Sequence, residues 1–415
     1  MSGDQNSGIS SMLRCLLYSH DGLGLGHTRR NLALAAALTQ LNSDVRVLLA
    51  TGVEEIHELG VPDNVDTLKL PRLHKDATGG YVARRLGIAP SEIHHLRSAL
   101  LKAAVESFHP SILVVDKHPV GASGELREGL KALRQQGGHA VLGLRDILDD
   151  GKTVMKEWAE HDLVNQIATL YDLVLIYGHP WLFDATREYR LPADVVAKSR
   201  FCGYVVTPEN SSNAHLDEQL PKSFSESNRS RPTVLATVGG GEDGFFLLQS
   251  FLRACHGMPW QGVAVAGPMV PRAESKALQR MAAEADVQLF RFVPGLSNLF
   301  RSFDALVCMG GYNTLAEALR KGMPTVCVPR VTPRREQFIR ASCFANAGLL
   351  ELLPPSEMNV KSLQAKIAGA LSSNRAKLIE KVESTLRLDG AKQAAAHILA
   401  LATGHQSFRE EVLVQ

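Results

Sequence analysis

The sequence predicts an α/β protein built as two doubly wound domains. Three observations carry this. Apolar runs of strand length alternate with helix-length amphipathic runs through the first half, the same alternation restarts after residue 232, and the stretch between reads TPENSSNAHLDEQLPKSFSESNRSRP, Thr207 to Pro232, polar and poor in large apolar residues. With 415 residues, 45% of them hydrophobic and 21% charged, the chain has apolar material for two cores. The expected divisions are 1–207, a linker at 208–231, a second unit at 232–385 and a terminal helix and tail at 386–415.

The elements follow in order. Arg14 to Tyr18 reads as a strand and Thr28 to Leu41 as a helix with Leu32, Ala35, Ala36 and Leu38 on its apolar positions. Val45 to Ala50 is the next strand, Ser91 to Phe108 a helix, and Ser111 to Val115, Ala140 to Leu144 and Leu173 to Tyr177 are strands. Their near-continuous apolar character suits parallel strands covered on both faces. The second half gives strands at Thr233 to Thr237, Gly262 to Ala266, Val287 to Phe292, Ala305 to Met309 and Thr325 to Val328, then helices at Leu363 to Leu371 and Lys392 to Leu401.

Bulk properties exclude several classes. A net charge of +2 provides no field suited to nucleic acid as the main partner. The six cysteines are scattered without a CxxC pair, which points to a reducing, cytoplasmic setting. Met1 to Met12 lacks the apolar run of a signal peptide, and no segment approaches membrane-span length. Peripheral membrane contact would fall to the Ser91 to Phe108 helix, which carries His94, His95, Arg97 and Lys102 beside apolar residues; an ordinary amphipathic domain helix is the plainer reading. No His/Cys/Asp cluster has metal-ligand spacing, so no metal and no cofactor are expected.

Chemistry concentrates at strand ends. Cys308 to Gln337 reads CMGGYNTLAEALRKGMPTVCVPRVTPRREQ: an apolar strand, a double-glycine turn, a short helix closed by Gly322 and Pro324, and a second apolar strand. Gly310 and Gly311 free backbone N–H groups at a helix N-terminus, where a phosphate is attracted. Glu317, expected on the helix's first turn, is placed to accept from ribose hydroxyls or is simply a solvated helix residue; Glu336 and Gln337 add acceptors where the sheet edge opens. In the first half, Gly22 to Arg30 reads GLGLGHTRR, a G-x-G-x-G-H turn that lacks the third glycine of a dinucleotide-binding loop. His27 there is either a general base or a loop-capping hydrogen bonder. Asp116, ending an apolar strand, is a base, an orienting group or a turn cap. Glu125, Arg145, Asp146 and the aromatic run Ile176 to Asp184 are pocket-lining or surface-turn residues. In Val238 to Phe245, Gly239 to Gly241 either face a diphosphate or ease a tight turn. Arg330, Arg334 and Arg335 are phosphate ligands or a solvated basic loop.

Taken together, GYNTLAE…PR…PRREQ resembles the donor-binding signature of GT-B fold glycosyltransferases, in particular the MurG-like group that uses UDP-sugars. The resemblance implies a hexose or N-acetylhexosamine moved from a UDP-sugar to an unidentified small-molecule, lipid or glycan acceptor, with inversion and without metal. It implies donor contacts from Gly240, Gly241, Val293, Gly310, Gly311, Asn313, Thr314, Glu317, Arg334, Glu336 and Gln337, with Val293 near the uracil and an arginine neutralising the departing UDP. An acceptor-side loop of Gly24, Gly26, Thr28 and Arg29 accompanies the candidates His27 and Asp116, and the terminal helices pass back over the first domain. A UDP-sugar epimerase of the same fold and a non-catalytic nucleotide-sugar binder are the alternatives.

Overall fold

The computed structural model describes residues 12–20, 26–54, 56–76, 80–207, 231–241 and 243–404. In chain order the first half forms β1 (Arg14–Tyr18), β2 (Arg46–Thr51), β3 (Val65–Lys69), β4 (Leu73–Lys75), β5 (Tyr81–Ala83), β6 (Ile112–Asp116), β7 (His139–Arg145), β8 (Leu173–Tyr177) and β9 (Ser199–Phe201). Seven of these make a parallel sheet ordered β3-β2-β1-β6-β7-β8-β9, with β4 and β5 paired antiparallel beside it. The second half forms β10 (Thr233–Thr237), β11 (Gln261–Val265), β12 (Gln288–Phe290), β13 (Ala305–Cys308), β14 (Thr325–Cys327) and β15 (Glu351–Leu352), a parallel sheet ordered β12-β11-β10-β13-β14-β15.

Both sheets reverse their strand order at an inner pair, β1 beside β6 and β10 beside β13. At such a reversal the connections leave in opposite directions, so a crevice opens beyond the strand carboxyl ends. Asp116, at the end of β6, and Gly239 and Gly310, which follow β10 and β13, lie at these two crevices. Strands β6, β8 and β10 are buried at every position because helices cover both sheet faces.

The helix Gly26–Leu41 is buried along most of its length, Thr28 and Arg30 through Leu38 included, because the terminal helix Gly390–Thr403 packs along it. Both helices are rich in alanine, which lets their axes approach closely. The return of the chain is fixed by backbone bonds: Tyr204 N donates to Arg387 O at 2.7 Å and Gly390 N to Tyr204 O at 3.0 Å. Gly390 is required there, since a Cβ would sit 2.7 Å from Gly203 O. One apolar cluster runs from β1 through Tyr204, Tyr312 and Phe344 to β13, so the halves share buried surface beside the cleft.

Several sequence expectations shift. The strand expected at Val287 to Phe292 shortens to β12, with Arg291 and Phe292 exposed. The helix Pro90–Phe108 does not present Arg97 to a surface: Arg97 is fully buried and its Nε and Nη2 reach Glu125 at 2.5 and 2.6 Å. Among the described residues no helix is long and apolar enough to cross a membrane.

Candidate functional site

The first half contributes a three-residue cluster. His27 lies on the first turn of the helix after β1, and Asp116 ends β6 next to β1, so the strand reversal brings them together. Arg30, one turn beyond His27, reaches the same carboxylate: its Nη2 donates to Asp116 Oδ1 at 2.9 Å and Oδ2 at 2.6 Å. His27 Nδ1 lies 3.2 Å from Asp116 Oδ2 and 2.8 Å from Arg30 Nη2. One nitrogen therefore faces both an acceptor and a donor. With the proton on Nδ1 it donates to Asp116 and the lone pair is on Nε2; in the other tautomer it accepts from Arg30.

Burial alone would raise the Asp116 carboxyl, but the charges of Arg30 and His27 and their hydrogen bonds override it and hold the group well below the usual carboxylate range. A carboxylate so held orients an imidazole and is a poor proton acceptor. Arg30 is itself clamped between the rings of Tyr177 and Tyr312, 5.5 Å from each centroid. His20 and His118 complete the wall, with ring centroids 4.5 Å apart and His20 5.2 Å from His27. Burial first, then repulsion by His118 and His27, pushes His20 well below its ordinary value, so it stands as a neutral imidazole. Of the acceptor-side loop, Gly24 lies outside the described residues. Thr28 faces inward, its hydroxyl 3.1 Å from that of Thr51, and Arg29 and Gly26 face the second half.

The second half meets this cluster directly. Gly310 has φ +84°, and a Cβ there would sit 2.9 Å from Cys327 Sγ; Gly311 immediately precedes the helix Tyr312–Arg320. Asn313 Nδ2 donates to Gly26 O at 3.3 Å, and Thr314 is half-buried on the same turn. Glu317 sits on the second turn of this helix, not the first, because the helix opens at Tyr312; it is buried, accepts from Thr207 Oγ1 at 3.0 Å and lies 3.5 Å from Arg29. Glu336 and Gln337 open the helix Glu336–Asn346. Glu336 Oε1 accepts from Arg330 Nη2 at 2.7 Å while its Oε2 is buried without a partner among the described residues, and Gln337 Oε1 accepts from Arg330 N at 3.2 Å.

Other candidates are placed differently from the sequence reading. Arg334 pairs with Glu157 at 2.9 Å and Asp149 at 3.6 Å, both in the first half, so it bridges the cleft rim instead of facing a diphosphate. Gly241, at φ +92°, would put a Cβ 2.3 Å from Ala266 O, and Gly240 O accepts from Met269 N at 2.9 Å. Close backbone packing alone thus demands glycine at 241, and the next helix opens only at Phe245. Val293 follows β12, half-buried against the core. Glu125 is buried and enclosed by Arg97 and Tyr18. Trp181, in the aromatic run, donates to Thr385 O at 3.0 Å and so braces the returning chain.

Sequence reasoning missed Arg30 and Arg340. Arg340, one turn beyond Glu336, is buried and donates from Nε and Nη2 to Asp146 at 2.8 and 2.7 Å and from Nη1 to Gly310 O at 3.2 Å. It ties the end of β7 to the double-glycine turn. For Arg340 the signals were its place in the RA that follows PRREQ and its helical spacing from an acidic first-turn residue, which an exposed helix shows equally. Among the described residues no group of three His, Cys, Asp or Glu is arranged to hold a metal ion.

Residues 265–398 match the Glycosyltransferase family 28 C-terminal domain. The chain is 25% identical over 126 residues to the UDP-N-acetylglucosamine–N-acetylmuramyl-(pentapeptide) pyrophosphoryl-undecaprenol N-acetylglucosamine transferase of Yersinia pseudotuberculosis serotype O:1b, a stretch that spans 30% of this chain and 35% of that relative. Over 94% of its length it superposes on all of a UGT transferase from Siraitia grosvenorii in complex with UDP, with a TM-score of 0.64 at 13% identity. It superposes over 95% of its length on all of Acinetobacter baumannii MurG, with a TM-score of 0.56 at 16% identity. The chain therefore has the GT-B fold, two Rossmann-like domains across a cleft, and residues 265–398 of its second half are similar to the Glycosyltransferase family 28 C-terminal domain.

Proposed function

We propose that the protein is an inverting, metal-independent glycosyltransferase that moves a hexose or N-acetylhexosamine from a UDP-sugar to a hydroxyl of a small-molecule, lipid or glycan acceptor. The observation that carries this is the bond from Asn313 to Gly26, which sets the glycine turn of one strand reversal against the histidine helix of the other. In this reading the diphosphate lies at Gly310 and Gly311 against the N-terminus of the Tyr312–Arg320 helix, Glu317 takes the ribose, and Glu336 and Gln337 take the sugar hydroxyls. His27 Nε2 removes the acceptor hydroxyl proton while Asp116 accepts from Nδ1–H. The acceptor oxygen attacks the anomeric carbon, the bond to the diphosphate oxygen breaks on the opposite face, and UDP leaves with the electron pair. One displacement inverts the configuration. The relatives support the donor class: one is named for UDP-N-acetylglucosamine and another holds UDP. The six free thiols support a reducing, cytoplasmic compartment.

Isothermal titration with UDP tests the donor site. Gly311 has an ordinary φ of −59°, and the nearest atom to an added Cβ is 3.9 Å away, so Gly311→Asp folds while placing a negative charge at the helix N-terminus. UDP binds the wild type and fails to bind this variant. An intact wild type that takes up no UDP, or a variant that binds equally well, refutes the assignment.

A further inference from the structure

The carboxylates around the cleft are nearly all matched to arginines: Asp116 to Arg30, Asp146 to Arg340, Glu336 to Arg330, Asp149 to Arg334. Arg145 is left over. It ends β7 opposite Tyr177 in register, two residues beyond Gly143, which pairs with Asp116. Side chains alternate along a strand, so Arg145 shares the sheet face of Val141, Gly143 and Tyr177, the face on which Arg30 and the second half lie. Among the described residues it forms no hydrogen bond or ion pair, and its Nε is sealed from solvent without a partner while the residue keeps part of its surface open.

A cation with nothing to hold is costly in such a place. Burial pushes Arg145 below the usual arginine value, repulsion from Arg340 and Arg30 adds to this, and the attraction of Glu336 and Asp146 does not restore it. Glu336 faces the same space: Arg340, one turn beyond it, grips the residue next to Arg145, and the outer oxygen of Glu336 is also buried and unpartnered. Arg145 Nε, a donor, and Glu336 Oε2, an acceptor, are thus both buried and unmatched, near enough for the charge of Glu336 to act on Arg145. Neither atom has a hydrogen-bond partner among the described residues.

We propose that Arg145 is the counter-ion for an oxyanion on a substrate, a carboxylate or phosphate borne by a sugar unit whose neighbouring hydroxyl donates to Glu336. This rests on the transferase reading and sharpens it: one of the two substrates is an acidic sugar, either a uronic acid or a sugar phosphate. A guanidinium suits both anions because its planar fork donates two parallel bonds.

The test uses the full chain as wild type, Arg145→Gln and Arg145→Lys, titrated with UDP as the control. One arm compares UDP-glucuronate with UDP-glucose, and the other compares glucose 6-phosphate and free glucuronate with glucose. The wild type favours an acidic probe over its neutral counterpart by about 10- to 100-fold in one arm. Arg145→Gln loses this preference, Arg145→Lys keeps part of it, and UDP affinity is the same in all three. Preference in the first arm assigns the anion to the transferred sugar; preference in the second alone assigns it to the acceptor. Arg145→Gln also melts at a higher temperature, because it removes a partly buried charge that has no ion-pair partner among the described residues. The proposal is overturned if neither arm discriminates, if discrimination survives in Arg145→Gln, or if that variant melts lower. A wild type that binds no UDP defeats the donor-site reading, and the second arm still decides the role of Arg145.

Discussion

At the scale of single residues, His27 and Asp116 differ in what they hold up. His27 is partly exposed to the cleft, and Asp116 keeps two hydrogen bonds from Arg30 when His27 is removed, whereas Asp116 is the carboxylate partner of the buried Arg30. His27→Ala therefore lowers kcat by about 10²- to 10⁴-fold, the usual contribution of a positioned acid–base group, and leaves UDP affinity and stability near wild type. Asp116→Asn lowers kcat as well, because a neutral amide no longer stabilises the imidazolium formed when His27 takes the proton, but it also costs roughly 3–5 kcal/mol by leaving the buried Arg30 without a counter-charge. Steady-state kinetics beside urea denaturation separates the two, and equal stability losses would show that His27 is structural. Both residues were legible in the sequence because each follows an apolar strand, and strand ends of a parallel sheet face the crevice. Arg30 and Arg340 were not. A buried arginine has the helical spacing of an exposed one, and only the tertiary fold supplies Asp116 and Asp146 as its partners.

Among the elements, legibility tracks burial. The inner strands β1, β8 and β10 match the sequence reading end to end, since both faces are covered and no polar residue interrupts the run. The outer strands β3, β9 and β15 are short and half-exposed, and their residues do not differ from turn segments. The return of the Gly390–Thr403 helix across the first half came only from family resemblance, because its alanine-rich sequence does not say which surface it covers. The structure supplies the reason in Gly203 and Gly390, whose missing side chains let two backbones touch. Gly390→Ala puts a Cβ 2.7 Å from Gly203 O, where neither atom belongs to a flexible side chain. It destabilises by roughly 1–3 kcal/mol, the cost of overpacking. A thermal melt reads this as a fall of several degrees, and an unchanged midpoint would mean that the helix does not dock as described.

For the whole molecule, the two halves are joined by links of two kinds. Deep in the cleft Arg340 holds Asp146, both nearly inaccessible, while at the rim Arg334, about a third exposed, pairs with Asp149 and Glu157. Buried pairs cannot be broken without leaving a charge stranded, so Arg340 acts as a fixed pin. Rim pairs trade easily with water and salt and contribute about 0–1 kcal/mol, enough to bias a domain movement and too little to hold the fold. The proposed transferase, which would admit two substrates and then exclude water, needs a latch of the second kind. Arg334→Ala therefore keeps its melting temperature yet shifts the closed-to-open ratio by about 2- to 5-fold toward open, the factor that one such pair provides. Small-angle scattering shows the shift as a radius of gyration that rises above that of the wild type, near 22 Å for a compact chain of this length. The same increase appears in wild type at high salt, and saturating UDP-sugar reverses it in both proteins because the bound donor rebuilds contacts between the halves. A radius indifferent to the substitution, to salt and to donor would mean that the cleft is permanently closed and that the rim arginine plays no part in the cycle.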